Sequence, residues 1–193
     1  MPRVGLTADR VAAAGAELAD EVGFAALTVT AVAKRLGVQQ ASVYAHVGGV
    51  RDLQVRIAHL ALAELNDATA EAVAGRAGRE ALTAYAAAFR TYARAHPGRY
   101  AAMRMPLEPA EAASSAGPRY AATTRALLRG YAVPEEDANH AVRLVGALLH
   151  GFVSLELGGS FDHSDPPAEQ SWHRAVAALD SLLATWERPE DHA

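Results

Sequence analysis

Glycine and proline punctuate this chain at a handful of points, and almost every window between those points favours a helix. Alanine, the residue that loses least on entering a helix, fills roughly a quarter of the 193 positions. Strands betray themselves by alternating β-branched and aromatic residues between turn residues, and the sole candidate is Leu27 to Val32. That stretch competes with a helix capped by Thr28 or Thr30. The chain therefore reads as all-α, with about nine helices.

The stops delimit the elements. Thr7 can cap a first helix that presents Val11, Ala14, Leu18 and Val22 at helical spacing before Gly23 ends it. A second, short helix runs through Val32, Ala33 and Leu36 to Gly37, and a third covers Gln39 to Val47 before Gly48-Gly49. Helix, glycine-containing turn, helix is a recurring supersecondary unit. A longer helix from Val50 or Arg51 reaches the Gly75 to Gly78 break, and the next spans Arg79 to Ala95. Further helices are expected over Arg99 to Arg104, Tyr120 to Tyr131, Pro134 to Gly158, and from Trp172 to Trp186 after a linker at Gly159 to Pro167. Pro106 to Gly117, rich in Ala, Ser, Glu and Pro, reads as loop or helix start.

Composition removes several function classes. The chain has no cysteine, which excludes disulfide scaffolds, thiol nucleophiles and thiolate metal sites. No apolar run approaches the roughly 18 residues of a spanning helix, and Met1 to Arg10 lacks the apolar core of a secretory signal, so a cytoplasmic location without membrane contact is expected. Catalytic signatures such as Gly-x-Ser-x-Gly, a phosphate-cradling glycine loop or His-Glu-x-x-His are missing, and the eight histidines have no metal-ligand spacing; no enzyme, cofactor or metal is expected.

Residues 27 to 53 carry the readable chemistry. A threonine before the second helix, the Ala-Lys-Arg-Leu-Gly-Val turn, Ser-Val-Tyr-x-His-Val in the third helix and a leucine five residues after Gly48 together resemble the DNA-binding signature of the TetR/AcrR family of transcriptional regulators. The stretch from Leu149 to Phe161 resembles the branch whose C-terminal domain carries Trp-His-Gly, with Leu149 where the tryptophan would stand. A helix-turn-helix lays its second helix in the major groove. Gln39 and Gln40 are then base readers, since glutamine donates and accepts together as adenine N6 and N7 require, and Ala41 can abut a thymine methyl. Thr28, Thr30, Ser42, Tyr44 and His46 would hold phosphates through hydroxyl or imidazole groups, with Lys34 and Arg51 adding charge. Many family members have lysine where Val50 stands, so Arg51 would substitute for it from the next position.

Tyr44 and His46 read equally well as packing groups closing a small core of Val11, Leu18, Phe24, Leu27, Val32, Leu36, Val43 and Val47. Charge adds little. Residues 1–56 hold six basic groups and five acidic ones, a net of +1, which leaves −5 of the total −4 for the remainder.

The domain division that follows is a helix-turn-helix domain over 1–52 and a ligand-binding and dimerisation domain over 53–193. Two C-terminal helices have more apolar residues than one core-facing stripe can use. Leu144, Leu148 and Leu155 of one, with Trp172, Val176, Leu179 and Leu183 of the other, are expected to form a four-helix interface with a second copy, as the resemblance also implies. Tyr85, Phe89, Tyr92, Met103, Met105, Tyr120, His150 and Phe152 are candidates to line an apolar effector pocket, although a stripe at this spacing is more often plain core. The resemblance implies a repressor released from a palindromic operator by a small apolar or aromatic molecule. The competing reading is an all-helical adaptor that binds protein without touching DNA.

Overall fold

In the computed structural model, which describes residues 5–186, ten α-helices are joined by short connections, with no strand among the described residues. The helices are α1 Ala8–Val22, α2 Val29–Leu36, α3 Gln40–Tyr44, α4 Val50–Val73, α5 Gly78–Ala95, α6 Pro97–Ala102, α7 Pro109–Ser114, α8 Gly117–Leu128, α9 Ala138–Leu157 and α10 Ala168–Ala184. Single 3-10 turns occupy Phe24–Ala26 and Glu135–Asp137. Several boundaries differ from expectation for local reasons. The recognition helix closes at Tyr44, three residues early. Pro97 takes the first helical position of α6, where its missing N–H costs nothing, and so starts that helix before Arg99. The open stretch at 106–117 contains α7, because Glu108 and Glu111 form a reciprocal capping box.

Two compact units partition the chain: one takes the described residues up to Leu65 together with Tyr92–Pro118, the other Asn66–Thr91 with the residues from Arg119 onward. In the first, Val11, Leu27, Val32, Val43 and Val47 are buried, and Leu18, Phe24 and Leu36 pack against them. Leu53, Ile57 and Ala58 of α4 and Ala102 of α6 complete this core. The α6 N-terminus lies so close to α1 that a Cβ on Gly98 would fall 2.1 Å from the Ala19 carbonyl. Asp20 fastens the contact: its Oδ1 accepts from the Arg99 backbone N–H at 2.8 Å, and its Oδ2 lies 3.2 Å from His96 Nδ1.

Within the second unit, Arg90 is clamped between Glu156 and Glu169, and Asp180 accepts from Arg79 and the Tyr131 hydroxyl at 2.7 and 2.8 Å. The interface expected on α10 requires correction. Trp172, Val176, Leu179 and Leu183 are all buried in the unit's own core, with Trp172 edge-on to Phe152 at 5.1 Å. An apolar stripe specifies that a face is covered, and here it is buried within the chain itself, with Phe152 of α9 and Arg90 of α5 both on the Trp172 ring. The apolar residues left outside are Leu155 (50% exposed) and Leu157 on α9 and Leu182 (54%) on α10, with Leu144 and Leu148 half-buried.

Glu135–Leu157 also amends the reading that no stretch reaches spanning length. Over its 23 residues a window has mean hydropathy 1.2, and 22% of that window is buried. By length and composition alone this helix is long and apolar enough to cross a membrane, a measure that the core helix of a bundle also meets.

Candidate nucleic-acid interface

Local sequence dictates how α2 and α3 are set. Thr28 adopts an extended conformation and its Oγ1 accepts from the Ala31 backbone N–H at 3.1 Å, which caps α2 and fixes its start. Gly37 then takes the left-handed conformation (φ 65°) that ends α2, its N–H returning to Lys34 O, and the chain enters α3 through Gln39. Val43 and Val47 are buried beneath α3. With its inner face anchored, α3 turns Gln39, Gln40, Ala41, Ser42 and Tyr44 to solvent. Tyr44 is 50% exposed, which removes its reading as a packing group, whereas His46 is half-buried. Gln40 Nε2 lies 3.4 Å from the Tyr44 hydroxyl, one turn further along.

Thr28, Thr30 and Lys34 are exposed on α2 and its cap. The Thr28 hydroxyl oxygen is occupied by capping, and its hydrogen stays available to donate. An exposed polar α3 with a capped α2 before it is the arrangement of a helix-turn-helix reading head.

The charges around this face differ from a simple count of basic residues. Arg35 is bound to Glu17 and Glu21 at 2.9 and 2.8 Å, and these carboxylates raise its already high pKa further. Arg56 is paired with Asp52, and Arg10 donates to the Gly5 carbonyl. Arg51, expected on phosphate, is held instead by Glu111 at 2.8 Å, by the Pro106 carbonyl at 3.0 Å and by Met105 Sδ at 3.6 Å. Lys34 is exposed and has no ion-pair partner among the described residues.

The residues named for an effector pocket fall in both units. Tyr92, Met103 and Met105 lie in the first, where the Tyr92 hydroxyl donates to Glu64 at 2.8 Å and Met105 packs on the reading-head core. Burial and the Glu64 carboxylate both push the Tyr92 pKa up. Tyr85, Phe89, Tyr120, His150 and Phe152 lie in the second. Tyr85 and Tyr120 rings are 6.0 Å apart, Phe89 meets His150 edge-on at 4.9 Å, and the Tyr85 hydroxyl shares a 2.7 Å hydrogen bond with Thr124. Glu111, the partner that commits Arg51, is a functional residue that the sequence reading does not single out. Glu108-x-x-Glu111 with Pro109 at the first helical position signals the start of α7 and not the pairing with Arg51.

Fold and exposed face together define a helix-turn-helix transcriptional regulator. Residues 11–53 match the family of bacterial regulatory proteins of the tetR type, and residues 82–179 match the tetracyclin repressor-like C-terminal domain. The chain belongs to the TetR family of transcriptional regulators. It is 36% identical over 157 residues to the uncharacterized HTH-type transcriptional regulator Rv0681 of Mycobacterium tuberculosis, a match spanning 77% of this chain and 69% of that one. It is 29% identical over 182 residues to the uncharacterized HTH-type transcriptional regulator YobS of Bacillus subtilis, spanning 94% and 95%. Among solved structures, a TetR variant from Acinetobacter baumannii AYE in complex with minocycline superposes with a TM-score of 0.67 at 28% identity, covering 92% of this chain and 94% of that one. Neither family match assigns the Trp-His-Gly branch.

Proposed function

We propose that this protein is a ligand-responsive repressor that binds a palindromic operator as a homodimer, with 1–52 as its reading domain and 53–193 for effector binding and dimerisation. The observation that carries the reading is the exposed row Gln39, Gln40, Ala41, Ser42 and Tyr44 over the buried Val43 and Val47. Gln39 and Gln40 read base edges, with Ala41 close to them. Thr28, Thr30, Ser42, Tyr44, His46 and Lys34 hold phosphates. Two such heads related by a twofold axis present recognition helices about 34–36 Å apart. The dimer face is the half-buried Leu144 and Leu148 and the exposed Leu155 of α9 with the exposed Leu182 of α10, an apolar strip that calls for a cover. Arg143 and His140, exposed on the same helix, favour a second protein copy over lipid as that cover, and a cytoplasmic location beside DNA follows. The solved TetR relative with minocycline supports a small apolar or aromatic effector here, with Tyr85, Phe89, Tyr120, His150 and Phe152 as its first candidate contacts.

Selection from random duplex DNA at two salt concentrations, with the Gln39→Ala, Gln40→Ala double variant alongside, tests the reading. An enriched palindrome whose preference is lost in the variant is the expected result. Absence of enrichment, or binding indifferent to sequence, would instead support the adaptor.

A further inference from the structure

Arg51 is the second residue of α4, just beyond the Gly48-Gly49 turn that follows the recognition helix. Its Nη2 donates both to Glu111 Oε2 and to the Pro106 carbonyl, and its Nη1 points at Met105 Sδ. All these partners lie on one segment, 105–111, of the same compact unit. The pair is accessible, with the side chains 46% and 29% exposed, so water and other ions reach it. Glu111 has a second duty: the same Oε2 accepts from the Glu108 backbone N–H at 2.9 Å, which caps α7. Its carboxylate is thereby held in place whether or not Arg51 stays.

We infer that Glu111 sets the strength of DNA binding by competing with backbone phosphate for the Arg51 guanidinium. This rests on the DNA-reading assignment made above. A phosphate, like a carboxylate, can meet the guanidinium with two oxygens, and the exposed pair with Glu111 holds it only weakly, so the exchange is feasible when DNA docks. The exchange has a cost: Glu111 is left as an uncompensated anion near the phosphate backbone. Since Arg35 and Arg56 are also ion-paired, the reading head has few uncommitted cations, and one further cation released is a large fractional change. Glu111 is a positioning residue in this account and touches no base.

A double-variant cycle on the full chain tests it, using the duplex that the unaltered protein enriches from random sequence. Glu111→Gln keeps an acceptor for the α7 cap and removes the charge. It is expected to tighten binding about two- to fivefold, the worth of an exposed ion pair, and to steepen the dependence of log K on log salt by about one unit. In an Arg51→Ala background the same change is expected to gain markedly less, because no guanidinium remains to release and only the repulsion between Glu111 and phosphate is removed. A gain of equal size without Arg51 overturns the inference, since it would come from that repulsion or from altered packing of α7 and not from a released guanidinium. So does an unchanged affinity and salt slope in Glu111→Gln while the Gln39→Ala, Gln40→Ala variant still loses sequence preference. If that glutamine variant loses nothing, the DNA-reading assignment itself has failed.

Discussion

The Arg90 guanidinium lies 5.1 Å over the Trp172 ring and presents two nitrogens to the two carboxylate oxygens of Glu156, at 2.9 and 2.6 Å. Arg90 is only 8% exposed, so this is a buried charge whose burial is tolerated because every side is answered: Glu156 in a fork, Glu169 on Nη1, and an indole face. Removing Glu156 strips the guanidinium of its forked partner and leaves the buried charge only the more exposed Glu169 and the indole face. Glu156→Ala is expected to cost about 3 kcal/mol, whereas replacing the pair together by Arg90→Met and Glu156→Leu costs far less. Denaturant unfolding of the two variants distinguishes these outcomes; equal losses would mean that the ion pair itself, not the stranded charge, carries the energy.

Alkaline stability follows from Tyr85. Burial pushes its pKa up to about 12, against an ordinary value near 10. A raised folded-state pKa means the neutral form is favoured in the fold, so stability is full below about pH 10 and is lost as pH rises through 12, on the order of 2 kcal/mol. Tyr92 and Tyr131 are shifted the same way by burial and a carboxylate neighbour. Tyr85→Phe is expected to make the melting temperature less sensitive to pH in that window. At neutral pH it forfeits the hydrogen bond to Thr124, about 1 kcal/mol. An identical pH profile would show that Tyr85 ionises freely in the fold.

The reading head was legible because its signals are local. Thr28 caps three residues away, Gly37 ends α2 by its own φ, and the burial of Val43 and Val47 follows from a spacing of four. What was not legible lies in contacts between residues far apart. Arg51 and Glu111 are 60 positions apart, and nothing in either neighbourhood announces the pair. The Trp172, Val176, Leu179, Leu183 stripe reads as a face to be covered by a second copy, whereas it is buried within the chain, because periodicity shows that a face is covered and is silent on what covers it. Membership of the family came through motif register, which no single property of charge or propensity carried.

Gly98 makes a prediction that depends on a close approach and on no special backbone angle. A Cβ there would sit 2.1 Å from Ala19 C and O and 2.5 Å from Asp20 N, all backbone atoms that cannot step aside. Gly98→Ala is therefore expected to force α6 off α1 at about 3 kcal/mol, breaking the Arg99 to Asp20 bond. Thermal melting checks the magnitude, and a melting temperature within a degree or two of the parent would show that the helices can separate cheaply.

The two apolar faces of α9 and α10 respond differently to substitution. Leu148→Glu places a charge on the outward face proposed to meet a second copy, and is expected to yield folded monomers in sedimentation. Trp172→Ala removes a buried side chain from the protomer's own core and is expected to cost about 3–5 kcal/mol whatever the oligomeric state. Should Leu148→Glu leave the mass unchanged, another surface must cover Leu155 and Leu182.

Lys34 is the cation to test first on DNA. It is exposed near the end of α2 and has no ion-pair partner among the described residues, so in the proposed complex its ammonium would meet a phosphate without first leaving a carboxylate. One phosphate contact contributes about 0.9 to the slope of log K against log salt. Lys34→Ala is therefore expected to flatten that slope by about 0.9 and to weaken binding equally on preferred and scrambled duplexes. Gln40→Ala should do the reverse, leaving the slope intact while erasing preference at the position it reads. A Lys34→Ala loss confined to the preferred duplex would mean that this residue reads sequence, and that the register of α2 and α3 on the groove differs from the one proposed.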